Sequence, residues 1–349
     1  MSNFTVVLIV PTGVGAAIGG YAGDALPIAR SVATISDRLI THPNVLNGAQ
    51  LYWSLDNTYY VEGYGLDRFA AGKWGLNPVR QNKIGLLLDQ AIEPELRLRH
   101  IQVADATRAT LGLSLTDYVV TDAPLEVELR VAESGTSWGT IGNPGSLLRA
   151  AEKLIYQGGA EAIAVVARFP DDEDSIELQN YRQGAGVDCL AGAEAVISHL
   201  IVRNFRIPAA HAPALKPLAV DPQVSPRAAA EELGYTFLPC VLVGLSRAPQ
   251  FVTHTELFTP NIIRGNEVNV AIVPYTACGG SAMMSFANST TEIIAVTNNF
   301  TQIDVPPEPL GIKVTKVNSY LEALGVLVAR KAGIDPQVFH PDLSSLRSL

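Results

Sequence analysis

Residues 5–20, TVVLIVPTGVGAAIGG, run from an apolar, β-branched stretch straight into a loop with four glycines. Residues 269–282, NVAIVPYTACGGSA, repeat the construction: an apolar run, Val-Pro, a threonine, then small residues with a glycine pair. A short apolar run without alternation reads as a strand covered on both faces, as in a parallel sheet. Glycines between such a strand and an amphipathic stretch mark the turn of a strand–loop–helix unit. The echo suggests two lobes whose equivalent loops face each other.

The same pattern continues outward from these two stretches. Further strands are expected at DRLITH (37–42), NKIGLLLD (82–89), DYVVTD (117–122), EAIAVVAR (161–168), YTFLPCVLVG (235–244) and TEIIAVT (291–297). Helices are expected at 24–36, 93–112, 145–157, 189–205, 226–234 and 317–333. Asp24, Asp188 and Ser225-Pro226 supply start signals for three of them, as N-cap oxygens or a pre-set φ. The expected fold class is α/β, with doubly wound, mainly parallel sheets in two Rossmann-like lobes. Gly, Ser and Pro crowd residues 133–146, 211–226 and 304–311, which read as linkers or surface excursions. The expected organisation is an N-terminal α/β lobe at 1–132, a linker at 133–146, a second α/β lobe at 147–315, and a C-terminal helix and tail at 316–349.

A chain of 349 residues exceeds the roughly 250–300 residues over which one core keeps growing, in keeping with two lobes. Charged residues make up only 17% against a usual share of about 25%, which points to surface buried in a homo-oligomer. A net charge of −9 without any Lys/Arg cluster argues against nucleic-acid binding. MSNFTVVLIVPTG has no basic leader region, and no apolar run reaches the ~18 residues of a membrane span. No membrane contact is expected, and the expected location is cytoplasmic, or stromal in a plastid-bearing organism. Cys189, Cys240 and Cys278 form no CxxC pair and read as reduced thiols; the scattered histidines do not suggest a zinc site.

The strings PTGVGAAIGGYAGDALPIARSVA, ITHPNVLNGAQLYW, YYVEGYGLDRFA, YRQGAGVDCLAGAEAVISHLIV and YTFLPCVLVGLSRAPQ are similar, over nearly the full length, to an uncharacterised family of cyanobacteria and plastid-bearing eukaryotes. The resemblance implies a place among photosynthetic lineages. It brings no catalytic residues with it.

In open α/β sheets, ligands sit outside the carboxyl ends of the strands. Thr12, Gly13, Gly15, Gly19 and Gly20 follow the first strand, where bare backbone amides suit a phosphate or carboxylate. Their spacing is neither the GxGxxG of dinucleotide sites nor a GxxxxGK[ST] phosphate loop. His42 stands where a ribose-binding acid would be. Asn44 follows it. Cys278, with Gly279 and Gly280 leading into a helix, is expected to have its thiol pKa lowered toward the nucleophilic range. Enzymes of the aspartate/glutamate racemase type resemble this in placing cysteines on such loops, although Thr12 occupies the position of a second cysteine. His42 and His211 are candidate proton carriers beside prolines. Arg182, on the glycine-bearing YRQGAGVD loop, and Arg247 are candidate anion ligands, with Arg182 alternatively paired to acidic residues. Asp171, Asp172 and Asp174 read as a solvated surface rather than a magnesium site. Cys240 and Cys189 read as packing residues, and His199 as a core or interface histidine.

The expected function is that of a soluble enzyme acting on a small anionic metabolite between the lobes, by cysteine-assisted proton transfer or acyl chemistry. The alternatives are a non-catalytic ligand-binding or regulatory protein and a dinucleotide-dependent oxidoreductase.

Overall fold

The computed structural model describes residues 3–47, 51–171, 175–232, 238–254, 259–343 and 345–346. In chain order its first elements are β1 (Thr5–Leu8), α1 (Leu26–Ile35), β2 (Arg38–Thr41), α2 (Pro43–Leu46), β3 (Thr58–Tyr60), α3 (Gly63–Ala70) and β4 (Gly75–Asn77). The middle of the chain gives β5 (Ile84–Leu88), α4 (Pro94–Leu111), β6 (Val119–Val120), β7 (Val127–Val131), β8 (Ser137–Ile141), α5 (Pro144–Tyr156) and β9 (Ala162–Arg168). Next come α6 (Ile176–Arg182), α7 (Ala191–Phe205), β10 (Ala209–Ala214), α8 (Pro226–Ala230), α9 (Leu238–Ser246) and β11 (Gln250–Val252). The chain closes with β12 (Val268–Pro274), α10 (Ser281–Ala287), β13 (Glu292–Val296), β14 (Thr315–Val317) and α11 (Tyr320–Lys331).

Two parallel sheets carry the fold, as the α/β pattern predicts. The larger has six strands in the order β14-β13-β12-β1-β2-β3, and the smaller has four in the order β10-β9-β5-β6. Every pairing in both is parallel. Two antiparallel pairs, β11–β4 and β7–β8, complete the described strands. In the larger sheet β1, β2 and β3 step away in one direction while β12, β13 and β14 step away in the other. That is the 3-2-1-4-5-6 order of a doubly wound sheet, with the smaller sheet inserted in sequence between its third and fourth strands. The smaller sheet is wound in the same sense, with its switch between β5 and β9.

This topology corrects the expected division at 133–146. The larger sheet is assembled from both ends of the chain, and the 133–146 stretch contains β8, which closes a hairpin with β7 through five residue pairs. The glycine echo is corrected in the same way. β1 and β12 do not face each other across lobes but lie side by side, with Leu8 opposite Ile272. Their two loops therefore leave the same sheet edge at its switch point.

Burial explains why the strands read as unbroken apolar runs: all four residues of β1 and all five of β5 are buried. One core contains Val6, Leu8 and Ile272 of the larger sheet together with Leu86, Ala164 and Val166 of the smaller one. α9 supplies Leu238, Val241, Leu242 and Leu245 to that core. Here the expectation of a strand at 235–244 fails. Residues 238–246 form a helix buried so fully that its sequence is apolar on every side, and an apolar run of that length carries neither period. Cys240 lies in this helix and is fully buried, as expected of a packing residue.

Candidate functional site: a cleft at the switch point

The loop between β1 and α1 is built by its glycines. Gly13, Gly15, Gly19 and Gly23 all take positive φ, a region that side chains with a Cβ enter at a cost. At Gly19 a Cβ would also lie 2.4 Å from Val10 Cγ1. Neighbouring segments then pin the loop. His42 Nε2 accepts from the Val10 amide at 3.1 Å, Asn44 Nδ2 donates to Gly19 O at 2.8 Å, and the Gly23 amide donates to Asn44 O at 2.7 Å. From the other half of the sheet, Asn299 takes the Ile18 amide on Oδ1 and returns Nδ2 to Ile18 O, while the Gln302 amide donates to Val14 O. Among the described residues, no protein acceptor is recorded for the amides of Gly15, Ala16 and Ala17.

Those three residues line a cleft of about 910 Å³, within the size range of small-ligand sites. Its other walls are Gly184–Gly186 after α6, Ser225–Arg227 at the start of α8, Thr276 after β12, and the segment from Phe300 to Asp304 after β13. The cleft thus stands at the carboxyl ends of β1 and β12, where a doubly wound sheet places its ligand. Thr276 is fixed there: its Oγ1 accepts from the Thr301 amide at 2.7 Å.

An acidic group lies behind Tyr21, which also lines the cleft. Tyr21 stacks on Tyr181 with centroids 4.4 Å apart, and its hydroxyl donates to Tyr181 O. The Tyr181 hydroxyl donates to Glu231 Oε2 at 2.6 Å, and the same oxygen accepts from the Ala22 amide at 3.3 Å. Burial, reinforced by the Glu194 and Asp24 carboxylates, pushes the Glu231 pKa up to about 7. Asp188 is raised well above the usual carboxylate range by burial, then by Glu231 and Glu194. Asp24 accepts from Gly19 N at 2.6 Å and from Arg227 Nη1 at 2.8 Å; burial raises its pKa against the pull of Arg227.

The expected site residues divide sharply. Gly15 lines the cleft, whereas Thr12, Gly13, Gly19, Gly20 and Asn44 shape or brace its loop. Gly13 O accepts from the Ser137 amide at 2.8 Å. A Cβ on Gly20 would lie 2.4 Å from Ala16 O. Cys278 is corrected: it is fully buried, donates Sγ–H to Tyr275 O, and burial pushes its pKa up to about 11, away from the thiolate. Gly279 and Gly280 are exposed and are not among the cleft's lining residues. His42 has Nε2 engaged by Val10, and burial holds its pKa down at about 4, so it is a neutral brace rather than a proton carrier. His211 lies within β10, with Nδ1 3.2 Å from Ser198 Oγ and Nε2 3.5 Å from Glu194, on the α7 side. Arg182 is buried and grips Glu232 through Nε at 2.7 Å, the intramolecular alternative to an anion. Arg247 pairs with Asp56 at 3.1 Å. Asp171 is held by Arg168 and Lys216, while Asp172 and Asp174 lie outside the described residues.

Three features escape sequence reading. Glu231 and Arg227 sit in an ordinary helical string, PRAAAEE, and only tertiary packing separates the half-buried Glu231 from an exposed glutamate. Phe300 falls in a turn without pattern. GTSWG at 135–139 has the GxSxG spacing of a hydrolase nucleophile elbow. Ser137, however, opens a hairpin strand rather than a strand-to-helix turn, and its buried Oγ has no hydrogen-bond partner among the described residues.

The model of the family described as "Protein of unknown function (DUF3326)" matches residues 5–340. The chain belongs to this family. It is 62% identical over 339 residues to a protein of Synechococcus sp. named "Uncharacterized lipoprotein", covering 97% of this chain and 94% of the relative. The expected kinship with a cyanobacterial family thus holds for this DUF3326 chain. The expected cytoplasmic or stromal location does not stand, because that relative is named a lipoprotein. Among the described residues, no helix is long and apolar enough to cross a membrane. No solved structure matches the chain.

Proposed function

We propose that this protein binds a small anionic metabolite in the switch-point cleft. The observation that carries this is the run of three successive amides, Gly15, Ala16 and Ala17, without recorded protein acceptors on the wall of a cavity. Successive N–H groups in a glycine turn form a concavity suited to a carboxylate or phosphate oxygen. Arg227 adds a cation on another wall of the cleft; Nη1 goes to Asp24, and a guanidinium has five N–H donors. Among the described residues, the lining includes no cysteine or histidine, which favours binding over cysteine chemistry.

Thermal unfolding with inorganic phosphate and with succinate tests this. Either anion is expected to raise Tm in the natural protein, and Ala185→Trp, which fills the cleft from an exposed position, is expected to remove the shift. An unchanged shift in Ala185→Trp would move the site elsewhere.

A second function, dinucleotide-dependent oxidoreduction, is favoured by the 3-2-1-4-5-6 strand order alone. It is opposed by His42, which occupies the place of the ribose-binding acid and is committed to Val10. Quenching of NADH fluorescence on titration would revive it. The relative's name extends the proposal to attachment at a membrane through lipid, which partition of the native protein into Triton X-114 would reveal. Self-association fits the exposed Leu321 and Val328 of α11 and the exposed Phe339 beyond it; light scattering at 37.2 kDa would exclude it.

A further inference from the structure

Phe300 is 63% exposed, yet the chain on either side of it is fixed. Asn299 is fully buried, clamped to Ile18 and donating to the Tyr320 hydroxyl at 2.7 Å. Thr301 is buried and bonded to Thr276 through both its amide and its hydroxyl. A large apolar ring is therefore held at a defined place on the cleft wall instead of folding into the core. Tyr21, the other aromatic lining residue among the described residues, already stacks on Tyr181. The same cleft is bounded by Gly184 and Gly186, whose φ values of 90° and 94° require residues without a Cβ. An exposed ring on a pinned backbone, beside a bare backbone wall, suits a flat group, and ring stacking contributes beyond the area it buries.

We propose that Phe300 is the stacking platform for a planar ring of the ligand, so that the cleft selects an anion carrying an aromatic or heteroaromatic group. This rests on the proposal that the cleft binds an anion at the Gly15–Ala17 amides. The anionic group sets the position and the ring sets the selectivity.

Calorimetric titration with two probes, inorganic phosphate and phenyl phosphate, separates the two. The natural protein is expected to bind phenyl phosphate about five- to tenfold more tightly than phosphate, the scale of one ring stack. Phe300→Ala and Phe300→Leu are expected to lose that advantage and keep phosphate affinity, while Phe300→Trp keeps both. Equal affinity of the natural protein for the two probes would overturn the stacking role and leave the anion site standing. So would an advantage retained in Phe300→Leu, because it would assign the effect to apolar area. Binding of neither probe by a protein with its native circular dichroism would overturn both the stacking role and the anion site.

Discussion

Glu231→Gln should stabilise this protein, and by an amount that depends on pH. The carboxyl is buried behind the cleft, accepts the Tyr181 hydroxyl and the Ala22 amide on one oxygen, and has Asp188, Glu194 and Asp24 as its acidic neighbours. Arg227, on the cleft wall, is committed to Asp24. Burial therefore favours the neutral acid, with a folded pKa of about 7 against an ordinary 4.5. The folded state binds the proton more tightly than the unfolded chain. Its contribution to stability is complete below pH 4.5 and is lost as the pH rises through 7. At about 1.4 kcal/mol per pH unit, the full loss is about 3 kcal/mol. Glutamine cannot ionise, and its amide oxygen can accept the same two hydrogen bonds. Urea unfolding at pH 5 and pH 8.5 should show the variant close to the natural protein at the lower pH and about 3 kcal/mol more stable at the higher one. A difference that is the same at both pH values would show that the buried carboxyl does not carry the proton, and the account of the acidic group would fail.

Other consequences can be checked directly. Native Cys278 should react with iodoacetamide more slowly than the half-exposed Cys189, because it is fully buried and its pKa is raised; mass spectrometry that finds Cys278 labelled first would restore an activated thiol. His199 is paired with the buried Glu62, whose carboxylate outweighs the effect of burial and raises the imidazole pKa. The natural protein should therefore gain stability over His199→Gln below pH 6.5 and lose that gain as the pH rises through the elevated pKa, which urea unfolding at pH 5.5 and 8.5 would register. Gly244→Val should cost about 1–3 kcal/mol, since even a Cβ there would lie 2.5 Å from the Tyr60 ring inside the shared core. An unchanged urea midpoint would mean that α9 does not pack against β3 as described.

What was legible in the sequence was whatever local chemistry dictates. β1, β9 and β12 could be read because strands covered on both faces have few polar positions to break the run, Asn269 near the start of β12 being one. α1, α5 and α11 could be read because an exposed face leaves a helical period. α9 could not, since a helix wrapped by two sheets loses its polar face and with it the period. The lobe boundary was illegible for a different reason. The residues of 133–146 have the composition of a linker, but β8 needs its β7 partner to become a strand, and sequence composition does not record pairing.

The site follows the same division. Gly15 was readable because a glycine after a strand announces a backbone that needs positive φ. Cys278 sits in an equivalent position after β12, yet the physics there runs the other way: α10 is only seven residues long, and the side chain is buried in the core that holds Met283 and Phe286. Desolvation of the thiolate then outweighs any help from nearby amides, so an identical local pattern yields an inert thiol. Glu231 is the converse case. Nothing in PRAAAEE distinguishes Glu231 from Glu232, but Glu232 meets Arg182 while Glu231 meets a tyrosine hydroxyl and other acids. One carboxylate is met by an ion pair, and burial favours the neutral form of the other. That difference is decided entirely by which segments the two sheets bring together at the switch point, and it places a group that titrates near neutral pH behind a wall of the cleft.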